Sequence, residues 1–251
     1  MLSKKNFFSK ILWYIEKRCF DRADIIIVDT DTNGSFYSEL FKINKIKFRQ
    51  LPLCIDQNLF HCSKESKNTK PLKILFAGGF IPLQGVDIIV KAAHLLKKDS
   101  TLKFYLIGDG QEANCIAEYI TTYNLDITWI KEWLSIGDLA KEYNSADICL
   151  GIFGRSDKRG RVWPFKNYNA MATGIPVISS NFEDPSLPRL EEYYYSVSPA
   201  SPRELAKAIL LLKNKEKRQE LGKKGNIYYS NYLANKNAVN KFYNLAKQLN
   251  S

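Results

Sequence analysis

Lys166 lies two residues after Pro164, in the segment Trp163-Pro164-Phe165-Lys166-Asn167-Tyr168-Asn169, and this is where the sequence first suggests chemistry. Proline pre-sets the entry to a helix, so the pattern predicts a helix over 166–173 that stops at Gly174. A cation in the first turn of a helix opposes the positive end of the backbone dipole unless an anion lies between them. That conflict points to a bound anion such as a phosphate. Asn169, three residues on, shares the face of Lys166 and can reach the same ligand. Arg155, Lys158, Arg159 and Arg161 lie just upstream, after an apolar run ending at Ile152. A solvated surface is the bland explanation of that loop; the first-turn placement sets Lys166 apart from it.

Glycines form the second cluster. Gly78-Gly79-Phe80-Ile81-Pro82-Leu83-Gln84-Gly85 follows the apolar run 73–77 and precedes a helix starting near Val86. Adjacent glycines let backbone approach a ligand closely, and the helix start offers N–H groups and a positive dipole end to a phosphate. A tight turn with no ligand explains the same glycines equally well. Gly108-Asp109-Gly110 closes another apolar run. The chain has two histidines, His61 and His94, too few for a nucleophile–histidine–acid triad. His94 shares a helical face with Asp87, Lys91 and Lys98 and reads as solvated. Trp129, Trp133 and Trp163 read as core or edge aromatics, with Trp163 close enough to Lys166 to border a ligand as the sharper alternative.

These residues need a scaffold, and the apolar pattern supplies one. Strands are expected at 73–77, 103–107, 127–130, 147–152, 176–179 and 194–198, with helices at 86–98, 112–122, 136–144, 166–173 and 203–213. Ser201 and Glu204 make a capping box for the last of these, with Pro202 at its first position. Strands that are apolar throughout and alternate with helices make a parallel sheet covered on both faces, a Rossmann-like doubly wound α/β domain. Ligands in such a sheet bind beyond the carboxyl ends of the strands, where the strand order reverses. Upstream, the pattern gives a helix over 5–20, a strand over 23–30, a helix from Thr32 or Asn33 through Leu40, and a strand over 46–52. The polar stretch from Ser63 to Pro71 reads as a linker. A final helix is expected over 233–249. The resulting division is 1–68 for the leading piece with linker, 69–230 for the Rossmann-like domain, and 231–251 for the closing helix.

The 251 residues are 45% apolar and 25% charged, ordinary for a globular chain, with a net charge of +11. That charge suits anionic small molecules, an anionic membrane surface or nucleic acid. Nucleic acid is the weakest of these, because the cations do not gather on one helix and no recognised module is present. The 5–20 helix carries Phe8, Ile11, Leu12, Ile15 and Phe20 at helical spacing with basic residues between them. It reads as packed on its own protein, or as a basic amphipathic helix on an anionic membrane. No apolar stretch approaches a membrane span and no signal peptide is evident, so a cytoplasmic place is expected, with peripheral attachment at the inner face of a membrane as the extension. Five cysteines, an odd number without a C-x-x-C pair, read as free thiols.

The run Lys166-Asn167-Tyr168-Asn169-Ala170-Met171-Ala172-Thr173-Gly174-Ile175-Pro176-Val177-Ile178 resembles the K-x-x-E-A-M-A-x-G-x-P-V-I signature of family-four, group-one glycosyltransferases. Phe76 to Asp87 is similar to that family's G-R-x-x-P-x-K-G-x-D, and residues 20–60 resemble the end of its N-terminal domain. The resemblance implies a retaining GT-B enzyme that needs no metal and no cofactor. Its C-terminal half would bind a UDP- or GDP-sugar, and its N-terminal half a glycan or lipid-linked acceptor. It implies catalytic roles for Lys166 and Arg161, with Lys166 on the diphosphate and Asn169 on the ribose. It places Gly78, Gly79, Phe80, Gln84 and Gly85 near the diphosphate or sugar, and Gly108 and Lys131 in the donor site, the latter beside the nucleobase. Departures are plain: the family's phosphate-binding arginine and lysine are Gly79 and Gln84 here, and the glutamates of its E-x7-E pattern are Arg161 and Asn169. Most of the N-terminal half is missing from the sequence. That leaves a truncated gene, a separate chain carrying the other half, or a non-catalytic donor-binding or partner-binding module as competing readings.

Overall fold

A computed structural model describes residues 7–62 and 71–249. Apart from Pro71, the stretch read as a linker lies outside the described residues. The leading piece comprises α1 (Phe7–Arg22), β1 (Ile26–Val28), α2 (Asp31–Phe41) and β2 (Phe48–Gln50). β1 and β2 pair in parallel, Ile26 opposite Phe48. Thr30 caps α2 by accepting from Asn33 N at 3.1 Å. Ile26, Val28, Phe41, Ile43 and Phe48 form a small core, against which Trp13 and Phe20 of α1 pack. The other face of α1 leaves Phe7, Phe8 and Ile15 exposed.

The main domain alternates strand and helix: β3 (Leu72–Ala77), α3 (Val86–Leu96), β4 (Leu102–Ile107), α4 (Ala113–Thr122), β5 (Ile127–Ile130), α5 (Ile136–Ser145), β6 (Ile148–Leu150), α6 (Phe165–Ala172), β7 (Val177–Ser180), β8 (Tyr195–Val197), α7 (Pro202–Leu211) and α8 (Lys215–Tyr228), with α9 (Asn235–Leu249) closing the chain. The strands form one parallel sheet in the order β5-β4-β3-β6-β7-β8. Successive strand residues face opposite ways. Ile74, Phe76, Phe104 and Leu106 join α3, α4 and α7 in one core, while Leu75, Ile107, Cys149 and Val177 join α5, α6 and α8 in the other. The strand order reverses between β3 and β6, which is the doubly wound α/β architecture expected from the pattern.

Several elements differ from the sequence expectation. α8 is absent from that reading because its residues are mostly polar, and it is started instead by Asn214, whose side chain accepts from Lys217 N at 2.9 Å. Ile55 and Phe60, on the leading side of the linker, are buried in the main domain, where Phe60 meets Tyr143 edge-on at 5.7 Å. The leading piece is tied down by Asp184, which accepts from Asp31 N (3.2 Å) and Thr32 N (2.7 Å), and by the Asn235 amide, which brackets the backbone of Ile55. α9 returns to it, with Lys241 donating to Gln50 at 2.6 Å. His94 is half-buried rather than freely solvated: its ring lies 4.3 Å from that of Tyr123 and its Nδ1 is 3.3 Å from the Tyr119 hydroxyl.

The exits of β3 and β6 are fastened to each other. Phe153 N donates to Gln84 O (3.0 Å) and Gly154 N to Leu83 O (3.2 Å). Gly85, the residue before α3, has φ +68°, and a Cβ on it would stand 2.6 Å from Gly154 N and 2.7 Å from Phe153 C. Alanine there incurs left-handed strain of about 1–2 kcal/mol and overpacking of about 1–3 kcal/mol against backbone that has no rotamer to escape by. Gly85→Ala is therefore expected to lower the melting temperature by roughly 5 °C or more, read by circular dichroism; an unchanged midpoint would contradict this packing.

Candidate functional site

At the reversal of strand order a cavity of about 570 Å³ opens between the ends of β3, β4 and β5 and the starts of α5 and α6. That size suits a small-molecule ligand. Ile107, Leu134, Ile136 and Leu139 form apolar wall. Gly78, Gly79, Gln84, Lys131, Lys166 and Asn169 contribute polar atoms, and Gly108 completes the edge beside Asp109.

Lys166 is in the first turn of α6, as its spacing after Pro164 predicts, and is only 8% exposed. No side chain caps the start of α6, so the helix presents its N-terminal N–H groups and dipole beside the same amine. Nζ donates to the neutral Gln84 Oε1 at 2.7 Å and sits 3.6 Å from the centre of the Phe76 ring. Burial pushes its pKa well below the ordinary lysine range, and among the described residues no carboxylate offsets that. A buried ammonium without a counter-ion is costly. Gly78 makes room for it: a Cβ at that residue would stand 2.6 Å from Nζ. The double-glycine bend and the lysine are therefore parts of one site, with the amine lying where any side chain at 78 would be.

Asn169 is 2% exposed and borders the same cavity, and its carbonyl oxygen meets no donor. The Lys131 ammonium lies 4.4 Å from the ring centre of Trp129, whose Nε1 donates to Gly108 O at 2.8 Å, so the β4 and β5 exits form one rim. Three residues singled out in the sequence stand elsewhere. Phe80 is fully buried and stacks on Trp129 at 5.0 Å; its backbone N donates to Asp109 O. Gly85 serves the junction with Gly154 and is not on the cavity wall. Arg161 turns to the leading piece, its guanidinium carbon 3.4 Å from the centre of the Phe36 ring and its carbonyl accepting from Thr30 Oγ1 at 2.5 Å. Burial lowers the Arg161 pKa.

Two wall residues were not read from the sequence as site residues. Trp133, taken there for a core or edge aromatic, is fully solvent-exposed at the cavity rim. Its place three residues beyond β5, in the polar run Lys131-Glu132-Trp133, is the signal that distinguishes it from a core tryptophan. Trp163, the tryptophan nearest Lys166 in sequence, is instead buried against Phe182 (5.5 Å) and Tyr194 (4.9 Å). Tyr143 of α5 also lines the cavity. It carries no sequence signal, because an aromatic on an amphipathic helix reads as core.

Known proteins agree with this architecture. The family model described as glycosyl transferases group 1 matches residues 60–227. An uncharacterized glycosyltransferase of Methanocaldococcus jannaschii is 29% identical over 153 residues, 60% of this chain, which spans 41% of that protein's length. Among solved structures, Anabaena HepE in complex with UDP superposes with a TM-score of 0.78 at 15% identity, over 99% of this chain and 70% of its own. Sucrose-phosphate synthase of Thermosynechococcus elongatus superposes with a TM-score of 0.79 at 20% identity, over 99% of this chain and 64% of its own. At those identities the likeness speaks for the fold. With two thirds of its length inside the family match, the chain belongs to the group 1 glycosyl transferases, and its six-stranded domain is one half of a GT-B fold.

Proposed function

We propose that this chain is the donor-binding half of a retaining, metal-independent glycosyltransferase that moves a sugar from UDP- or GDP-sugar to a glycan or lipid-linked acceptor. The observation that carries the reading is the buried Lys166 amine, without a counter-ion among the described residues, at the uncapped start of α6. A diphosphate is the anion that resolves both features at once. Helix N–H groups and a lysine aimed at a leaving diphosphate stabilise the negative charge that develops as the sugar–phosphate bond breaks, which is the work a metal does in other transferases. The apolar wall and the exposed Trp133 ring offer a flat surface to the nucleobase. Arg161, on the side of the leading piece, faces the acceptor.

The acceptor half then comes from further sequence of the same protein or from a separate chain. It would cover the exposed face of α1 and extend the two-stranded β1–β2 sheet, since parallel sheets are stable when both faces are covered. The net charge of +11 suits work at an anionic membrane. One observation favours a non-catalytic donor-binding module: Gly79 and Gln84 leave the diphosphate end of the cavity with Lys166 as its cationic side chain. Transfer from UDP- or GDP-sugar on supplying an acceptor half separates the two readings, and its failure with every donor favours the second.

Removing the amine should separate binding from stability. Lys166→Met keeps the bulk and discards a buried charge, so the unliganded variant is expected to melt at the same temperature or higher. Its affinity for UDP or GDP in titration calorimetry should fall by ten- to a hundredfold, the worth of a charged hydrogen bond, about 1.5–3 kcal/mol. Equal affinity for both forms would reject the diphosphate assignment.

The same amine sets a pH dependence. In the free chain its pKa is depressed, and a bound diphosphate raises it again. The complex therefore holds a proton that the free chain has begun to release. Affinity should be greatest on the acid side of the free-state pKa and decline as pH rises toward the bound-state pKa. Calorimetry in two buffers of different ionisation enthalpy should show proton uptake on binding within that window, lost in Lys166→Met.

A further inference from the structure

Arg161 is held in the seam between the leading piece and the main domain with its side-chain donors unused. Its guanidinium carbon lies 3.4 Å from the centre of the Phe36 ring, and its own carbonyl accepts from Thr30 Oγ1 at 2.5 Å. Stacking on a ring holds one face of the guanidinium and takes none of its N–H groups. Among the described residues none of those N–H groups meets an acceptor, and no carboxylate pairs with them. The acids of the seam are committed elsewhere: Asp29 accepts from the Asn33 amide at 3.0 Å, and Asp184 accepts from Thr32 N at 2.7 Å. Asp157, the acid nearest in the chain, is exposed and is not paired with Arg161. Arg159, two residues earlier, donates to Asn181 O at 2.8 Å, while its Nε is buried and has no acceptor.

We infer that Arg161 recognises an anionic group, phosphate or carboxylate, on the acceptor, at a place separate from the donor diphosphate. The inference rests on the proposed reading of the chain as part of a glycosyltransferase. Arg161 is not on the wall of the donor cavity, so an anion at its fork is not the one at Lys166. It belongs to a second group, one that reaches the seam from the side of the leading piece. A guanidinium is weakly hydrated, and its planar fork takes two oxygens of one phosphate or carboxylate. With Phe36 fixing the plane of that fork, little side-chain freedom remains to be lost on binding. The cation is half-buried, and an anion supplies the counter-ion it lacks among the described residues. The surrounding charge has the same sign: residues 155–161 hold Arg155, Lys158, Arg159 and Arg161 against Asp157 alone. A neutral acceptor leaves this fork unmatched. A phosphorylated lipid, a sugar phosphate or an acidic sugar fills it.

The test uses the full chain saturated with UDP and ligand-observed NMR titrations of anionic probes beside neutral counterparts. Glucose 6-phosphate and methyl glucuronide are set against methyl glucoside, and geranyl phosphate against geraniol. The native chain is expected to bind at least one anionic probe about tenfold more tightly than its counterpart, the worth of a charged hydrogen bond. Which probe it is tells a lipid phosphate from a sugar phosphate or a sugar carboxylate. Arg161→Gln should bring that ratio close to one. Arg161→Lys keeps the charge without the fork and should hold a ratio of only about threefold. Phe36→Leu leaves the guanidinium without its ring and should fall between the native ratio and that of Arg161→Gln. Circular dichroism checks the fold of each variant; if Arg161→Gln does not fold, the other two ratios decide in its place. A ratio near one for every probe in the native chain would overturn the inference. So would a ratio that survives Arg161→Gln, since the diffuse field of a chain with net charge +11 outlasts the loss of one cation. UDP binding is read separately: its absence counts against the donor reading, while the probe ratio, measured again without nucleotide, still decides this one.

Discussion

A lysine buried beside a helix start, with a neutral amide as its acceptor and no carboxylate beside it among the described residues, is the constraint around which the rest of this molecule is arranged. The desolvation of Lys166 is offset only in part by Gln84 and by the negative face of Phe76. Everything near it serves to hold that unfavourable arrangement. Gly78 gives up a side chain so that the amine has somewhere to lie. Pro164 sets the angle at which α6 starts, and seven consecutive residues of that helix, Lys166 to Ala172, are buried, so it cannot shift to let the lysine out. Native chains sit above a stability threshold with margin for such strained sites, and the margin here is supplied by two large cores, one on each face of the sheet.

The sheet's topology then explains why the cavity is where it is. β3 pairs with β4 on one side and β6 on the other, so the loops leaving β3 and β6 run to opposite faces and part company at their exits. In this chain they do not part far: the 83–85 and 153–154 segments are joined by backbone hydrogen bonds and by the glycine contact at Gly85 and Gly154. That junction closes the direct gap between the two exits, and Gln84 is its one residue on the cavity wall. The cavity is displaced toward β4 and β5, which is why the polar residues of the β5 exit line it and the basic loop 155–161 does not. Arg159, in that loop, donates instead to Asn181 at the exit of β7.

What was legible in the sequence follows from how local each signal is. The strands of the main sheet are apolar on both faces and stand out as runs; α6 is announced by Pro164 and Gly174, and the unusual lysine at its start by a cation in the wrong place on that helix. α8 was not legible, because its start depends on a single asparagine cap and its sequence is mostly charged. Arg161 was given a catalytic role by the family resemblance, yet its guanidinium lies over Phe36, 125 residues earlier, which no local pattern could reveal. Phe80 followed two glycines and was taken with them, whereas its side chain turns inward onto Trp129. Trp133 and Tyr143 are the reverse case: residue types common in cores, placed by tertiary structure on the cavity wall.

The leading piece obeys the same economy. Two parallel strands cannot bury both of their faces, and an isolated pair is marginal in water. Here the pair persists because its ends are fastened to the main domain from three directions. Asp184 takes the N–H groups of the first turn of α2, Thr30 donates to Arg161 O, and Asn235 brackets Ile55 while Lys241 reaches Gln50. The carboxylate of Asp184 also satisfies the dipole end of α2, so a single side chain caps one domain's helix from the other. Desolvation and the neighbouring Asp184 raise the Asp31 pKa, a modest cost of bringing two carboxylates to one helix end. The seam therefore fixes the carboxyl end of β1, with Asp29, Asp31 and Asn33, against the loop that carries Arg161. The orientation of those polar groups is set by hydrogen bonds within the chain itself, between Asp184 and the start of α2 and between Thr30 and Arg161.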